Sequence, residues 1–213
     1  MNLAFTPPPA IPCCTAGGLV DLAELGTLAP ALAPEALAQS LAGLNRYGGA
    51  TTPSWSVAAH SVVVAYLVET PAAQAWALLH DAHEPMLGDF TRPGERLIEH
   101  LTPGAGVRAA FQTARNHLDT AVRAVWQLEH LTLAELAQVE EADRIAGNGE
   151  RLVFFRDPGL GEADQPGAKR AAEIMAELDM PCERDAARRL WLRFAFSLAR
   201  DGVIAWPDPA LDR

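Results

Sequence analysis

The chain has 213 residues, 49% hydrophobic and 21% charged, with 16 glycines and 16 prolines, a composition that excludes a disordered, collagenous or coiled-coil protein. Its formal net charge is −10 and Lys169 is its one lysine, so no basic stretch is present to track a long nucleic acid. Cys13, Cys14 and Cys182 are too few and too irregularly placed for a disulfide framework or a structural zinc.

The N-terminal stretch lacks a basic segment followed by a long apolar one, and no window reaches about 18 apolar residues without a charge or proline. No membrane association is expected, and the expected location is cytoplasmic. Residues 1–34, with Pro7-Pro8-Pro9 and Gly17-Gly18 between short apolar pieces, read as a hairpin or extended lead-in to a helical domain over 35–213.

Pro34 is placed to begin a helix over 35–44, and 45–53 is a loop by composition. Val57, His60, Val64 and Leu67 fall on one face of a helix that opens at Ser54 or Ser56 and ends before Pro71. A helix over 72–84 carries Trp76, Leu79, His80 and His83 on one side, until Pro85 and Gly88 break the pattern; Arg92-Pro93-Gly94 reads as a loop. Helical spacing from Val107 to Leu128 predicts the longest helix. Thr132 and Glu135 have capping-box spacing for a helix with Leu136, Val139, Asp143 and Ala146 on one face and Gly147 as its stop. After a polar loop over 158–167, helices over 168–178 and 183–200 close the chain. The expected architecture is all-α, with six to eight helices.

His60, the His80-Asp81 pair and Asp143 stand on or beside apolar faces of separate predicted helices, which point into the core. A carboxylate buried there without compensation is costly, and one shared cation would compensate all four residues. Two imidazoles and two carboxylates suit a catalytic divalent ion of the Zn, Mn, Co or Fe kind. Glu84 lies one turn beyond His80, in the position of a general acid/base or a second-metal contact, and Asp89 follows in the adjoining loop.

The set His60, His80-Asp81 and Asp143 resembles the H…HD…D signature of the HD-domain metal-dependent phosphohydrolases. The likeness extends to Asn45-Arg46-Tyr47-Gly48-Gly49-Ala50-Thr51, to Ser56 through Ser61, and to His80-Asp81-x-x-Glu84-x-x-x-Gly88-Asp89, which are similar to the branch containing bacterial 5′-deoxynucleotidases and phage dNTP triphosphohydrolases. It covers roughly 15–150, with a motif core at 45–147. The resemblance implies His60, His80, Asp81 and Asp143 as metal ligands and Glu84 as the residue handling the attacking water. It also implies Arg46 as a phosphate-binding cation, joined by Arg92, and Asp89 near the sugar or a second metal. Tyr47 would stack on the base, and Gly49 and Pro93 would line the base pocket.

The implied substrate is a nucleotide, with additional Mg for a triphosphate, and a homodimer is implied by the same analogy. Structural alternatives stand beside these roles: Arg46 as a helix cap, Tyr47 as core, and Asp89 as ordinary turn chemistry. Two other functions remain open. One is an HD-type di-iron oxygenase, for which His100, His117 or His130 would have to supply a second iron site. The other is a non-catalytic nucleotide-binding module.

Overall fold

The structure, a computed structural model, describes residues 9–180 and 182–208; Pro7, Pro8 and most of the stretch read for a leader lie outside them. The chain opens with an antiparallel hairpin of β1 (Pro12–Thr15) and β2 (Gly18–Asp21), in which Thr15 pairs with Gly18 and Pro12 with Asp21. The short α1 (Ala29–Leu32) follows, then α2 (Pro34–Gly43), α3 (Val57–Tyr66), α4 (Pro71–Leu79), the single turn α5 (Glu84–Leu87) and α6 (Arg92–Leu101). The chain continues through α7 (Val107–Trp126), α8 (Leu133–Phe154), α9 (Gln165–Glu177) and α10 (Arg184–Arg200). The fold is all-α with a short hairpin lead-in, as expected.

Its centre is α3. Residues Val57 to Ala65 are all buried, and a helix apolar around its whole circumference must be enclosed on every side. Helices α2, α4, α8 and α10 pack around it. Ser56 caps it by accepting from Ala59 N, fixing where the helix starts and so where His60 sits. Trp55, Trp126 and Trp191 are fully buried; the last two donate their indole N–H groups to the carbonyls of Leu32 and Leu78 at 3.1 and 3.3 Å. Trp76 is half-buried, with the Arg123 guanidinium 4.0 Å above its ring. Val20 seats the hairpin on the core.

The described residues form ten α-helices, two of them of four residues, where six to eight were expected, and α9 opens at Gln165, inside the stretch read as a loop. Three further boundaries differ near the site. Gly147 does not stop α8, which continues to Phe154 and at 22 residues exceeds the 20 of α7. Glycine is needed at 149 for close helix approach: a Cβ there would lie 2.5 Å from the Cβ of Ala171 on α9. Arg92-Pro93-Gly94 is the first turn of α6 instead of a loop, because Thr91 accepts from Gly94 N as a cap and proline needs no donor in a first turn. Helix α4 stops at Leu79, so His80, Asp81, Ala82 and His83 form a turn before α5. No helix among the described residues is long and apolar enough to cross a membrane.

Candidate metal centre

Four elements bring the chemistry-bearing residues together. His60 comes from the middle of α3, Asp143 and Glu150 from α8, and His80 and Asp81 from the end of α4. Arg46 and Tyr47 come from a 3-10 turn over Arg46–Gly49. That turn is pinned beside α3 by backbone bonds from Arg46 N to Trp55 O (2.9 Å) and from Val57 N to Leu44 O (3.0 Å). Tyr47 and Gly48 adopt left-handed φ values of 57° and 61°; glycine carries no cost there, whereas the tyrosine must be held by its hydroxyl. Gly49 is also left-handed, and a Cβ on it would meet nothing within 4 Å.

The ending of α4 resolves a geometric problem, since neighbouring residues inside a helix point about 100° apart. Released from the helix, His80 anchors Nδ1 on the Ala77 carbonyl at 2.7 Å and turns Nε2 to within 3.1 Å of Asp81 Oδ2 and 3.9 Å of Asp143 Oδ1. His60 Nε2 lies 3.1 Å from Asp143 Oδ1 and 3.8 Å from Asp81 Oδ2. Candidate ligand atoms of His60, His80 and Asp143 all lie within 4.8 Å of one another. Donors about 2.1 Å from one ion stand about 3.0 Å apart at right angles and about 3.4 Å apart at the tetrahedral angle. The two spacings of 3.1 Å match those figures, and the wider ones of 3.8 and 3.9 Å correspond to donors more than a tetrahedral angle apart.

Charge and hydrogen bonding agree. His80 Nε2, Glu84 Oε2 and Asp89 Oδ2, between the end of α4 and the loop after α5, are buried atoms with no aligned hydrogen-bond partner. Burial, then the neighbouring Asp81 and Asp89 charges, push the Glu84 carboxyl up to about 9. Burial also raises Asp89. Burial alone would depress His80, but Asp81 outweighs it and raises the imidazole to about 9. Against burial, His80, His60 and Arg46 hold Asp81 well below the usual carboxylate range, and a His60 hydrogen bond does the same for Asp143. Asp81, Glu84, Asp89, Asp143 and Glu150 face Arg46 and the exposed Arg92, whose Nη2 is 2.8 Å from Asp143 Oδ2. The donor set is suited to a cation.

No model of a known protein family matches the chain, and no curated protein matches it.

The residue that sequence reasoning missed is Glu150. It is fully buried, and its Oε1 accepts from His60 Nδ1 at 2.6 Å while Oε2 accepts from Arg46 Nε at 3.0 Å and Tyr47 OH at 2.9 Å. Burial works to raise it, but Arg46 and His60 prevail and hold it down at about 2. The Tyr47 hydroxyl also lies 3.0 Å from the Gly147 carbonyl, and its ring meets Phe155 edge-on.

The remaining histidines stand apart from the cluster. His83 Nδ1 pairs with Asp119 Oδ1 at 2.9 Å, the exposed His117 meets the Leu22 carbonyl at 3.0 Å, and His100 and His130 are exposed. Among the described residues, His60, His80 and Asp143 form the metal-suited group. A depression of about 730 Å³ beside the hairpin, lined by Gly17, Pro30, Gln39 and Arg188 among others, lies away from them. Converging polar groups locate the site better than volume does.

Proposed function

We propose that the chain is a divalent-metal-dependent phosphohydrolase that removes a 5′-phosphate or 5′-triphosphate from a (deoxy)nucleotide. The observation that carries the reading is the convergence of His60 Nε2, His80 Nε2 and Asp143 Oδ1, with Asp81 beside them and the Arg46 guanidinium adjoining, on one cleft. The sequence resemblance to HD-domain phosphohydrolases supports the same assignment.

His60, His80, Asp81 and Asp143 would hold the ion. A divalent ion bound there supplies charge against the phosphate oxygens and lowers the pKa of a bound water. Arg46 has Nη1 3.8 Å from Asp81 Oδ2 and its Nε fixed on Glu150, so the guanidinium is aimed into the cleft and can donate charge-assisted hydrogen bonds to a phosphate. Glu84 offers a buried, unpartnered Oε2. A cation nearby favours its carboxylate form, and Oε2 then accepts the proton of the attacking water. Arg92, at the rim, adds a second cation for the phosphate.

The test is product analysis by ion chromatography after incubation with dAMP and with dATP in Mn²⁺, Co²⁺ or Zn²⁺, beside Asp143→Ala. Orthophosphate from dAMP marks a 5′-nucleotidase and intact tripolyphosphate from dATP a triphosphohydrolase, each lost in the variant. Neither product with any of the three ions would overturn the reading.

A further inference from the structure

Glu150 has no exposed surface, yet it takes three donors from two different parts of the fold. Oε1 serves an imidazole of the metal cluster on α3, and Oε2 serves the arginine and tyrosine of the turn before α3. Because each oxygen is engaged, the carboxylate cannot rotate toward one group without abandoning the other. We propose that Glu150 is a positioning residue that couples the ion-binding half of the cleft to its anion-binding half, setting the His60 tautomer and the Arg46 orientation through one carboxylate. The inference rests on the phosphohydrolase reading above.

Two consequences follow from its bonds. A carboxylate accepting from His60 Nδ1 requires a proton on that nitrogen, which leaves the Nε2 lone pair to a metal ion; orienting partners of this kind are common behind metal histidines. The same carboxylate holds Arg46 by Nε, the inner nitrogen, leaving the two outer nitrogens of the guanidinium for an anion. A residue that served only to fill the core would influence neither property.

The experiment titrates the full-length protein and Glu150→Gln with Mn²⁺ by calorimetry, then titrates each Mn²⁺-loaded protein with inorganic phosphate. The amide preserves volume but presents an N–H₂ group to donors on one side. Mn²⁺ affinity should fall about 10- to 100-fold, the usual cost of losing such a partner, and phosphate affinity should fall with it. A folded variant that keeps either affinity overturns the coupling.

Should Glu150→Gln fail to fold, ¹⁵N-histidine NMR of the Zn²⁺-loaded unmodified protein decides. His60 is expected protonated at Nδ1 with a strongly downfield proton, and protonation at Nε2 overturns the proposal. An unmodified protein that binds Mn²⁺ but hydrolyses no nucleotide removes the phosphohydrolase reading and leaves the Glu150 result standing. Failure to bind any divalent ion removes both.

Discussion

His60 on α3 and Glu150 on α8 have every polar side-chain atom engaged, whereas between the end of α4 and the loop after α5 His80 Nε2, Glu84 Oε2 and Asp89 Oδ2 have no aligned partner, a condition shared elsewhere by the buried Trp55 Nε1. Both sides are buried, so the difference is not one of solvent. A buried polar atom left unpaired costs about 1–3 kcal/mol, more if charged, and a fold retains several together only where something else satisfies them. The paired wall fixes geometry. The unpaired side is where reacting species would be received.

The largest expected effect breaks this division at Glu84. Glu84→Gln removes the proton acceptor while keeping the shape of the side chain, and turnover of whichever deoxynucleotide is hydrolysed should fall about 10²- to 10⁴-fold. Metal content, read by elemental analysis, should stay that of the unmodified protein. A variant that loses its metal would place Glu84 among the ligands and merge the two roles.

Proton linkage sharpens the comparison at smaller scale. With no ion bound, His80 is raised from 6.5 to about 9 and Glu84 from 4.5 to about 9, so both hold their protons at neutral pH. A folded-state value above the unfolded one stabilises below the unfolded value and loses that contribution as pH rises through the folded one. The ion-free protein should therefore lose thermal stability as pH rises from about 4.5, through Glu84, and more steeply above 6.5, where His80 joins, toward 9. Glu150, held down from 4.5 to about 2, acts in the opposite sense: its contribution is present above 4.5 and disappears as pH falls toward 2. Ion binding requires the His80 lone pair and should release about one proton or more at neutral pH. Calorimetry with Mn²⁺ in two buffers of different ionisation enthalpy reads that number, and zero release would contradict a protonated His80.

How much of this could be read in the sequence depended on which kind of signal each residue carries. His60, His80, Asp81 and Asp143 were legible because a titratable residue on an apolar helix face conflicts with its surroundings and the conflict shows in one dimension. Glu150 was hidden by a glycine. Taking Gly147 as a helix stop ends the helix seven residues short of Phe154 and leaves Glu150 outside it, although Glu150 stands seven residues after Asp143, two turns along the same face. Gly149 is there because α9 approaches within a Cβ of it, and nothing local distinguishes a packing glycine from a terminating one. Proline misled in the same way at Pro93, where the Thr91 cap makes it a starting residue. Tertiary contact, absent from a linear pattern, decides the glycine; the proline is decided by a local cap that Thr91 supplies.

Arg92 provides the weakest and most discriminating contrast. Its side chain is 70% exposed and its helix, α6, buries no residue, so little besides the contact with Asp143 Oδ2 holds it in place. Exposed ion pairs are worth about 0–1 kcal/mol, because solvent screens the attraction and a long side chain loses rotamer freedom in making it. Arg92→Ala should then leave the melting temperature nearly unchanged and raise KM for the hydrolysed nucleotide by no more than about fivefold, the equivalent of that energy, with kcat retained. A fall in kcat of about a hundredfold with KM unchanged would mean that Arg92 meets charge developed only in the transition state. In that case the rim belongs with the unpaired side, and α6 must close over the cleft during turnover.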